Sequence, residues 1–184
     1  MVDLSAKGPV ADMLPISVGG VTLAECHIPF VTHLHIRAGQ STALSKALEA
    51  AHGMALPARG ETTGAGAQRA VWFGSDRYLL LGEAAADPAL TAQAALADQS
   101  DAWVILHLTG PAGADVLARH CPLDLRLPGF GTGKTARAPV AHLPSVVTRL
   151  DNGFEVMVLQ SLARTAVHHL RDAMKSVAAQ AELA

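Results

Sequence analysis

The sequence has few aromatic residues, few charges of either sign and only two cysteines. Aromatic residues make up 4% of its 184 residues and charged residues 16%, whereas half of the residues are hydrophobic. The formal net charge of −2 gives no long-range field that would attract nucleic acid or anionic lipid. This composition is typical of an alanine-rich chain of high-GC coding origin, or of a compact fold whose apolar surface is partly covered by partners.

The two cysteines, Cys26 and Cys121, lie far apart and neither belongs to a CxxC motif. We interpret them as buried thiols in a reducing compartment rather than as a disulfide or a zinc site. No apolar run approaches the roughly 18 residues that predict a membrane helix. Residues 1–11 lack the basic start and apolar run of an export signal. We therefore expect a soluble, cytoplasmic protein.

The chain divides into a short arm and one body. Residues 1–15 contain Gly8, Pro9 and Pro15 and predict a flexible N-terminal arm. Residues 16–184 show no internal repeat or low-complexity linker, so we expect a single compact body. Within it, residues 16–109 and 110–184 form two halves.

The first half predicts the order β-α-β-β-α-β, which is the ferredoxin-like arrangement. Residues 31–37 alternate, with Thr32, Leu34 and Ile36 on one face and the two histidines on the other. The elements that follow are a helix capped by Ser41, strands at 70–73 and 77–82, a helix opened by Asp87-Pro88, and a strand at 102–109. The last strand is apolar on both faces, which is typical of a central strand. Residues 53–68 predict a loop.

The second half predicts the order α-β-β-β-α. A helix starts near Gly110-Pro111, and strands follow at 135–142, 145–150 and 154–159. Asn152-Gly153 between the last two strands is a hairpin signal. Ser161 is expected to cap the closing helix. The predicted fold class is therefore α+β, with a ferredoxin-like half packed against an αβββα half.

A glycine-rich segment, residues 128–135, partly matches a phosphate-binding P-loop. Its end, Gly133-Lys134-Thr135, fits the motif, but Pro128 occupies the position of the first glycine and has no N–H to offer. Pro139 blocks the helix that must follow. We therefore interpret the segment as a mobile loop, and a nucleotide site is nearly excluded.

Nine histidines raise the question of a metal site. His33 and His35 lie on one face of a predicted strand, and an H-x-H pair can bind zinc. No third ligand follows in the sequence, although Cys26 and His27 could approach in space. The alternative, which we favour, is a polar face that contacts a partner.

The closing helix carries a basic stripe. Arg164, His168, Arg171 and Lys175 recur at a spacing that puts them on one face, away from the leucines. Such a stripe is either a solvated face or a docking surface for an acidic partner. We predict a partner interface made of this stripe together with His33 and His35, and no catalytic, cofactor-binding or metal residues.

An ordered set of short motifs runs through the chain. The motifs are Asp98-Gln99-Ser100-Asp101-Ala102, Leu106-His107-Leu108-Thr109-Gly110-Pro111, Cys121-Pro122-Leu123-Asp124-Leu125, Phe130, Gly133, Phe154-Glu155-Val156-Met157-Val158 and Ser161-Leu162-Ala163. This set resembles the gamma subunit of heterotetrameric sarcosine oxidases, most specifically over residues 98–164, and the resemblance extends over 16–178. More distantly, the same set looks like the folate-binding core of the aminomethyltransferases.

The resemblance implies a complex of alpha, beta, gamma and delta chains. Such a complex oxidises sarcosine to glycine, reduces oxygen to hydrogen peroxide and passes the one-carbon unit to tetrahydrofolate. The resemblance places the FAD, FMN, NAD and tetrahydrofolate sites in the partner subunits. It also implies an aminomethyltransferase-type, folate-binding fold for this chain, which is kept for assembly of the complex.

Two features of the residues bear on that role. The aminomethyltransferases carry an acidic pair in the hairpin of the second half, whereas residues 141–149 here contain no Asp or Glu. Gln160 stands where the family tends to place an arginine. The expected function is therefore a non-catalytic subunit of a flavin-dependent sarcosine oxidase. The alternative is a stand-alone folate-binding or one-carbon-transfer module.

Overall fold

The computed structural model describes residues 7–183 and contains two antiparallel sheets. The six-stranded sheet has the order β1-β2-β8-β11-β10-β9, and the five-stranded sheet has the order β4-β5-β6-β3-β7. The strands are β1 (Ile16–Val18), β2 (Val21–Cys26), β3 (Phe30–Ile36), β4 (Thr62–Ala65), β5 (Gln68–Gly74), β6 (Arg77–Gly82), β7 (Ala94–Asp98), β8 (Trp103–Thr109), β9 (Thr135–Val140), β10 (Leu143–Leu150) and β11 (Gly153–Leu159). The helices are α1 (Ser41–His52), α2 (Gly113–Ala118) and α3 (Ala163–Ala181).

Three apolar clusters separate four layers. The first lies between α2, α3 and one face of the six-stranded sheet, and it includes Leu106, Phe154 and Leu170. The second joins the two sheets face to face, since it combines residues of both. The third lies between α1 and the outer face of the five-stranded sheet. Alternation along each strand decides which cluster a residue joins, because successive side chains point to opposite faces.

Most elements of the sequence prediction are present, and the mixed α+β class is confirmed, with the strands arranged in two antiparallel sheets. The α-β-β-β-α order of the second half is observed from α2 to α3. Strands β3, β5 and β6 of the first half pair with one another as neighbours in a single sheet. The alternation in β3 is also confirmed, since Leu34 joins the cluster under α1 and Val31 joins the cluster between the sheets.

The predicted second helix of the first half is wrong, whereas the predicted last strand is present but belongs to the other sheet. Asp87 does cap a turn by accepting from the N–H of Ala89, but only a 3-10 helix, Pro88–Ala92, follows. The chain then forms β7, which pairs with β3. Strand β8 lies instead in the six-stranded sheet, between β2 and β11. Both faces of β8 are apolar because α2 and α3 cover one side of the six-stranded sheet and the five-stranded sheet covers its opposite side.

Three local predictions also need correction. Ser41 begins α1 but makes no cap hydrogen bond, and the cap position is Gln40. Ser161 lies in a short 3-10 helix, Gln160–Leu162, and α3 starts only at Ala163. The predicted loop at residues 53–68 contains strand β4, which pairs with β5.

The described part of the predicted N-terminal arm packs against the body. Val10 is fully buried in the cluster under α3. The side chain of Arg164 donates to the Pro9 carbonyl and to the Asp12 carboxylate at 3.0 and 2.8 Å. These contacts hold residues 9–12 against α3. The rest of the arm that the sequence predicts, residues 1–6, lies outside the described residues.

Candidate functional site: a buried charge cluster between the sheets

A buried ion pair connects the two sheets. Arg69 on β5 donates through Nη2 to the Oε2 of Glu155 on β11. The Glu155 side chain is 0% exposed and that of Arg69 is 9% exposed. Taking these charges out of water is unfavourable unless they are paired and hydrogen-bonded. Arg69 also donates to the Gly66 carbonyl in the β4–β5 turn, which fixes the guanidinium at the end of the sheet.

His107 is the third member of the cluster. It is the cross-strand partner of Glu155, and its Nε2 lies 3.1 Å from the same Oε2 atom. The side chain is 30% exposed, so it connects the buried carboxylate with solvent. One carboxylate oxygen therefore accepts from two cationic groups that come from different sheets.

The pKa values of the cluster are shifted toward its charged forms. Hydrogen bonding with the neighbouring Cys26 and with Glu155 raises the pKa of His107 to about 9, against the opposing effect of burial. Burial alone would raise the pKa of Glu155, but the His107 hydrogen bond and the Arg69 charge outweigh burial and lower that pKa. At neutral pH the cluster consequently holds two positive groups and one negative group.

An open cleft of about 770 Å³ lies over the cluster. Arg69, His107 and Cys26 line it, together with the β4–β5 turn at residues 64–67. The loop at Thr132-Gly133 and the β10–β11 turn complete its walls. The cleft therefore opens at the shared end of the two sheets, where the inter-sheet face changes from apolar to charged.

Sequence reasoning missed all three residues of the cluster as site residues. Each is a polar residue inside a strand that is otherwise largely apolar, as in WVILHLT for β8 and GFEVMVL for β11. That pattern is a usable signal, since charged residues are almost never fully buried unless they are paired. Residues 141–149 contain no carboxylate. The buried carboxylate lies on the next strand, where Glu155 pairs with Thr148.

The basic stripe predicted on the closing helix is largely exposed. Arg164, His168 and Lys175 are exposed, whereas Arg171 is half-buried. Arg164 is already paired with Asp12, and Arg171 lies 3.5 Å from Asp172. The stripe therefore lies on the outer face of α3, and the six-stranded sheet separates it from the cleft between the sheets.

His33 and His35 lie on the face of β3 that points toward the other sheet. His33 is half-buried and packs edge-on against Phe73, with the ring centres 5.6 Å apart. Phe73 in turn contacts Trp103 edge-on, and the guanidinium of Arg137 lies 4.6 Å from the Phe73 ring centre. Burial, followed by the charge of Arg77, lowers the pKa of His33. We call Phe73, Trp103, His33 and Arg137 the aromatic patch.

The other sequence candidates are separated or occupied. Thr135 begins a strand where a P-loop would need a helix, and Lys134 pairs with Glu61 at 2.6 Å. Within residues 7–183, no group of three or more His, Cys, Asp or Glu side chains is arranged to hold a metal ion. In the same range, no helix is long and apolar enough to cross a membrane. Both cysteines are free, but only Cys121 is buried as predicted, since Cys26 is half-exposed at the cleft.

Comparison with known proteins gives a consistent set of relatives. No model of a known protein family matches the chain. The chain is 37% identical over 171 residues to the sarcosine oxidase subunit gamma of Corynebacterium sp. (strain U-96), a match that covers 86% of this chain and 82% of that protein. It is 33% identical to the subunit of the same name from Arthrobacter sp., covering 88% of this chain and 84% of that protein.

A solved structure shows the same fold. The match is to a chain of the heterotetrameric sarcosine oxidase from Corynebacterium sp. U-96 in complex with pyrrole 2-carboxylate, with a TM-score of 0.79 and 28% sequence identity. It covers 94% of this chain and 96% of that chain. The agreement in sequence, fold and length shows that this chain belongs to the family of gamma subunits of heterotetrameric sarcosine oxidases.

Proposed function

We propose that the chain supports assembly of a flavin-dependent complex with alpha, beta and delta subunits in the cytoplasm. The complex would oxidise sarcosine to glycine and hydrogen peroxide, and tetrahydrofolate would capture the one-carbon unit. FAD, FMN, NAD and tetrahydrofolate would bind to the partner subunits, and the isolated chain would be non-catalytic. The observation that carries this proposal is the match to a chain of a heterotetramer over nearly its whole length.

Two surfaces are proposed to contact the partner subunits. One is the basic stripe of Arg164, His168, Arg171 and Lys175 on α3, which fits an acidic partner surface. The other is the face of His33 and His35 with the aromatic patch beside it. Half-exposed aromatic rings next to an arginine are typical of the residues that dominate binding energy at interfaces.

Co-expression tests the assembly role. A tagged copy of this chain should recover the three other subunits in one complex when all four genes are expressed together. Omission of this chain should reduce the yield of the complex of the remaining subunits. Recovery of the tagged chain alone, with an intact three-subunit enzyme in the unbound fraction, would contradict the proposal.

We further propose that the fold is of the aminomethyltransferase, folate-binding type and that residues 16–184 act as one body. A stand-alone folate-binding module is the second candidate function, and the cleft with a carboxylate beneath it favours keeping it. Calorimetry of the isolated chain with tetrahydrofolate separates the two functions. Saturable binding supports the folate module, and a flat titration at concentrations that saturate the assembled enzyme rejects it.

A further inference from the structure

The cleft between the sheets has the size and shape of a small-molecule site. Its volume of about 770 Å³ falls within the roughly 300–1,000 Å³ of typical ligand pockets. Gly64, Ala65, Gly66 and Ala67 form one wall with no long side chain to fill the space, and Leu150 adds apolar surface. One wall of the open space therefore consists of backbone and small apolar groups, whereas most of the other lining residues are polar.

The charged end of the cleft carries more positive than negative charge. Arg69 and His107 line the cleft, whereas the single buried carboxylate, Glu155, lies behind them. Cys26 on β2 is the remaining titratable group beside His107. Asp151 also lines the cleft, but it is exposed in the β10–β11 turn, where water and salt screen its charge. Arg149 lines the cleft as well, so the positive groups outnumber the negative ones.

Arg69 also has hydrogen-bond donors that are not used. Each of its two Nη atoms carries two N–H groups, and one of each pair donates to Gly66 or Glu155, so one N–H on each Nη remains available. The side chain is more than nine-tenths buried and lines the cleft. A guanidinium N–H at a cleft wall can donate a charge-assisted hydrogen bond to an anion that enters the cleft.

We propose that this cleft binds a small organic carboxylate. The carboxylate would lie against Arg69 and His107, and the apolar body of the ligand would lie against the 64–67 turn and Leu150. A carboxylate accepts charge-assisted hydrogen bonds, which matches the available Nη donors of Arg69, and the neighbouring His107 adds a favourable charge. The apolar wall favours an organic acid over inorganic phosphate, which has no body to fill the remaining volume. This site adds a binding activity to a chain whose proposed role is assembly, and it does not depend on that role.

A matched pair of probes tests the charge requirement. Benzoate and benzamide have nearly the same shape, and only benzoate is an anion. Calorimetry on the purified full-length chain should show saturable binding of benzoate and at least roughly tenfold weaker binding of benzamide, as expected for loss of charge-assisted hydrogen bonds. Equal affinities, or no saturable binding of benzoate, would overturn the proposal. So would tighter binding of inorganic phosphate than of benzoate.

The position of the ligand is tested through Cys26. Saturating benzoate should slow alkylation of Cys26 by iodoacetamide, read by mass spectrometry, while the buried Cys121 serves as an internal reference. His107→Gln should weaken benzoate binding about tenfold and leave the Arg69–Glu155 pair in place, whereas His168→Gln on α3 should bind like the natural chain. Unchanged Cys26 labelling, or equal affinity of the His107→Gln variant, would place binding elsewhere and refute the site.

Discussion

Arg69 on β5 and Glu155 on β11 form an ion pair across the interface between the two sheets. The apolar cluster beside the pair fills the rest of that interface with residues such as Val71, Leu81 and Met157. Apolar contacts are not directional, whereas a buried ion pair is satisfied only at one relative position of its two strands. The pair therefore specifies how the sheets align and holds the end of the cleft in place.

Breaking this pair should be strongly destabilising. Glu155→Ala would leave the Arg69 guanidinium buried without its counter-charge, at an expected loss of about 3–5 kcal/mol in the free energy of unfolding. Urea denaturation followed by circular dichroism measures this loss. Asp124→Ala is the control, since its pair with Arg126 is largely exposed and should contribute little. Similar stability losses for the two variants would contradict the account.

Replacement of both partners separates charge from packing. Arg69→Met combined with Glu155→Leu should be much less destabilising than Glu155→Ala alone, because no buried charge is left unpaired. The same urea titration measures the double variant. If the double variant loses as much stability as the single one, packing around these positions, rather than the unpaired charge, explains the effect.

The raised pKa of His107 predicts a pH dependence of stability. The pKa is about 9 in the folded chain and about 6.5 for an ordinary histidine, so the folded state binds the proton more tightly. The stabilisation from His107 should be complete below pH 6.5 and be lost as the pH rises to 9 and above. The difference in unfolding free energy between the natural chain and His107→Gln should therefore shrink over this range. A difference that stays constant from pH 6 to pH 10 would show that His107 is not held in its charged form.

Gly110, directly after β8, is predicted to tolerate no side chain. Its φ is +119°, and a Cβ at this position would lie 2.3 Å from the Gly20 carbonyl oxygen. Gly39 also has a positive φ, but no atom lies within 4 Å of the corresponding Cβ position. Gly110→Ala should therefore destabilise the chain by about 3 kcal/mol or more, and Gly39→Ala by only about 1 kcal/mol. Thermal unfolding of the two variants measures this contrast, and equal losses would contradict it.

Charge reversal on α3 should weaken assembly if the basic stripe is an interface. Lys175→Glu is expected to lower the amount of partner subunits that co-purify with this chain, because one attractive contact becomes repulsive. Lys46→Glu on α1 is the matched control, since it makes the same charge change on an exposed helix in the opposite outer layer. Both variants should fold normally by circular dichroism. Equal recovery of the complex with Lys175→Glu and Lys46→Glu would exclude Lys175 from the interface.

Local patterns in the sequence predicted most of the elements. Periodicity predicts strand β3 with its two histidines on one face, and it predicts the apolar face of α3. Turn chemistry predicts the hairpin at Asn152-Gly153. The failures arise where tertiary pairing decides. The alanine-rich residues 93–98 have good helix propensity, but they form β7 because the edge of β3 offers hydrogen-bond partners.

The cluster was not predictable in the same way. Arg69, His107 and Glu155 are far apart in sequence and come from both sheets, so their meeting depends on the packing of the sheets. The sequence shows only that each strand contains an unexpected polar residue. The sheet to which β8 belongs was missed for the same reason, because a strand that is apolar on both faces does not specify its neighbours.

Sarcosine-dependent formation of hydrogen peroxide most directly tests the claim that this chain is a supporting subunit. The assay compares the four-subunit complex, the complex expressed without this chain, and this chain alone after incubation with flavins. The account predicts activity in the complete complex, reduced yield and activity without this chain, and no peroxide from the chain alone. Peroxide formation by the isolated chain, or full yield and activity of the complex that lacks it, would contradict the account.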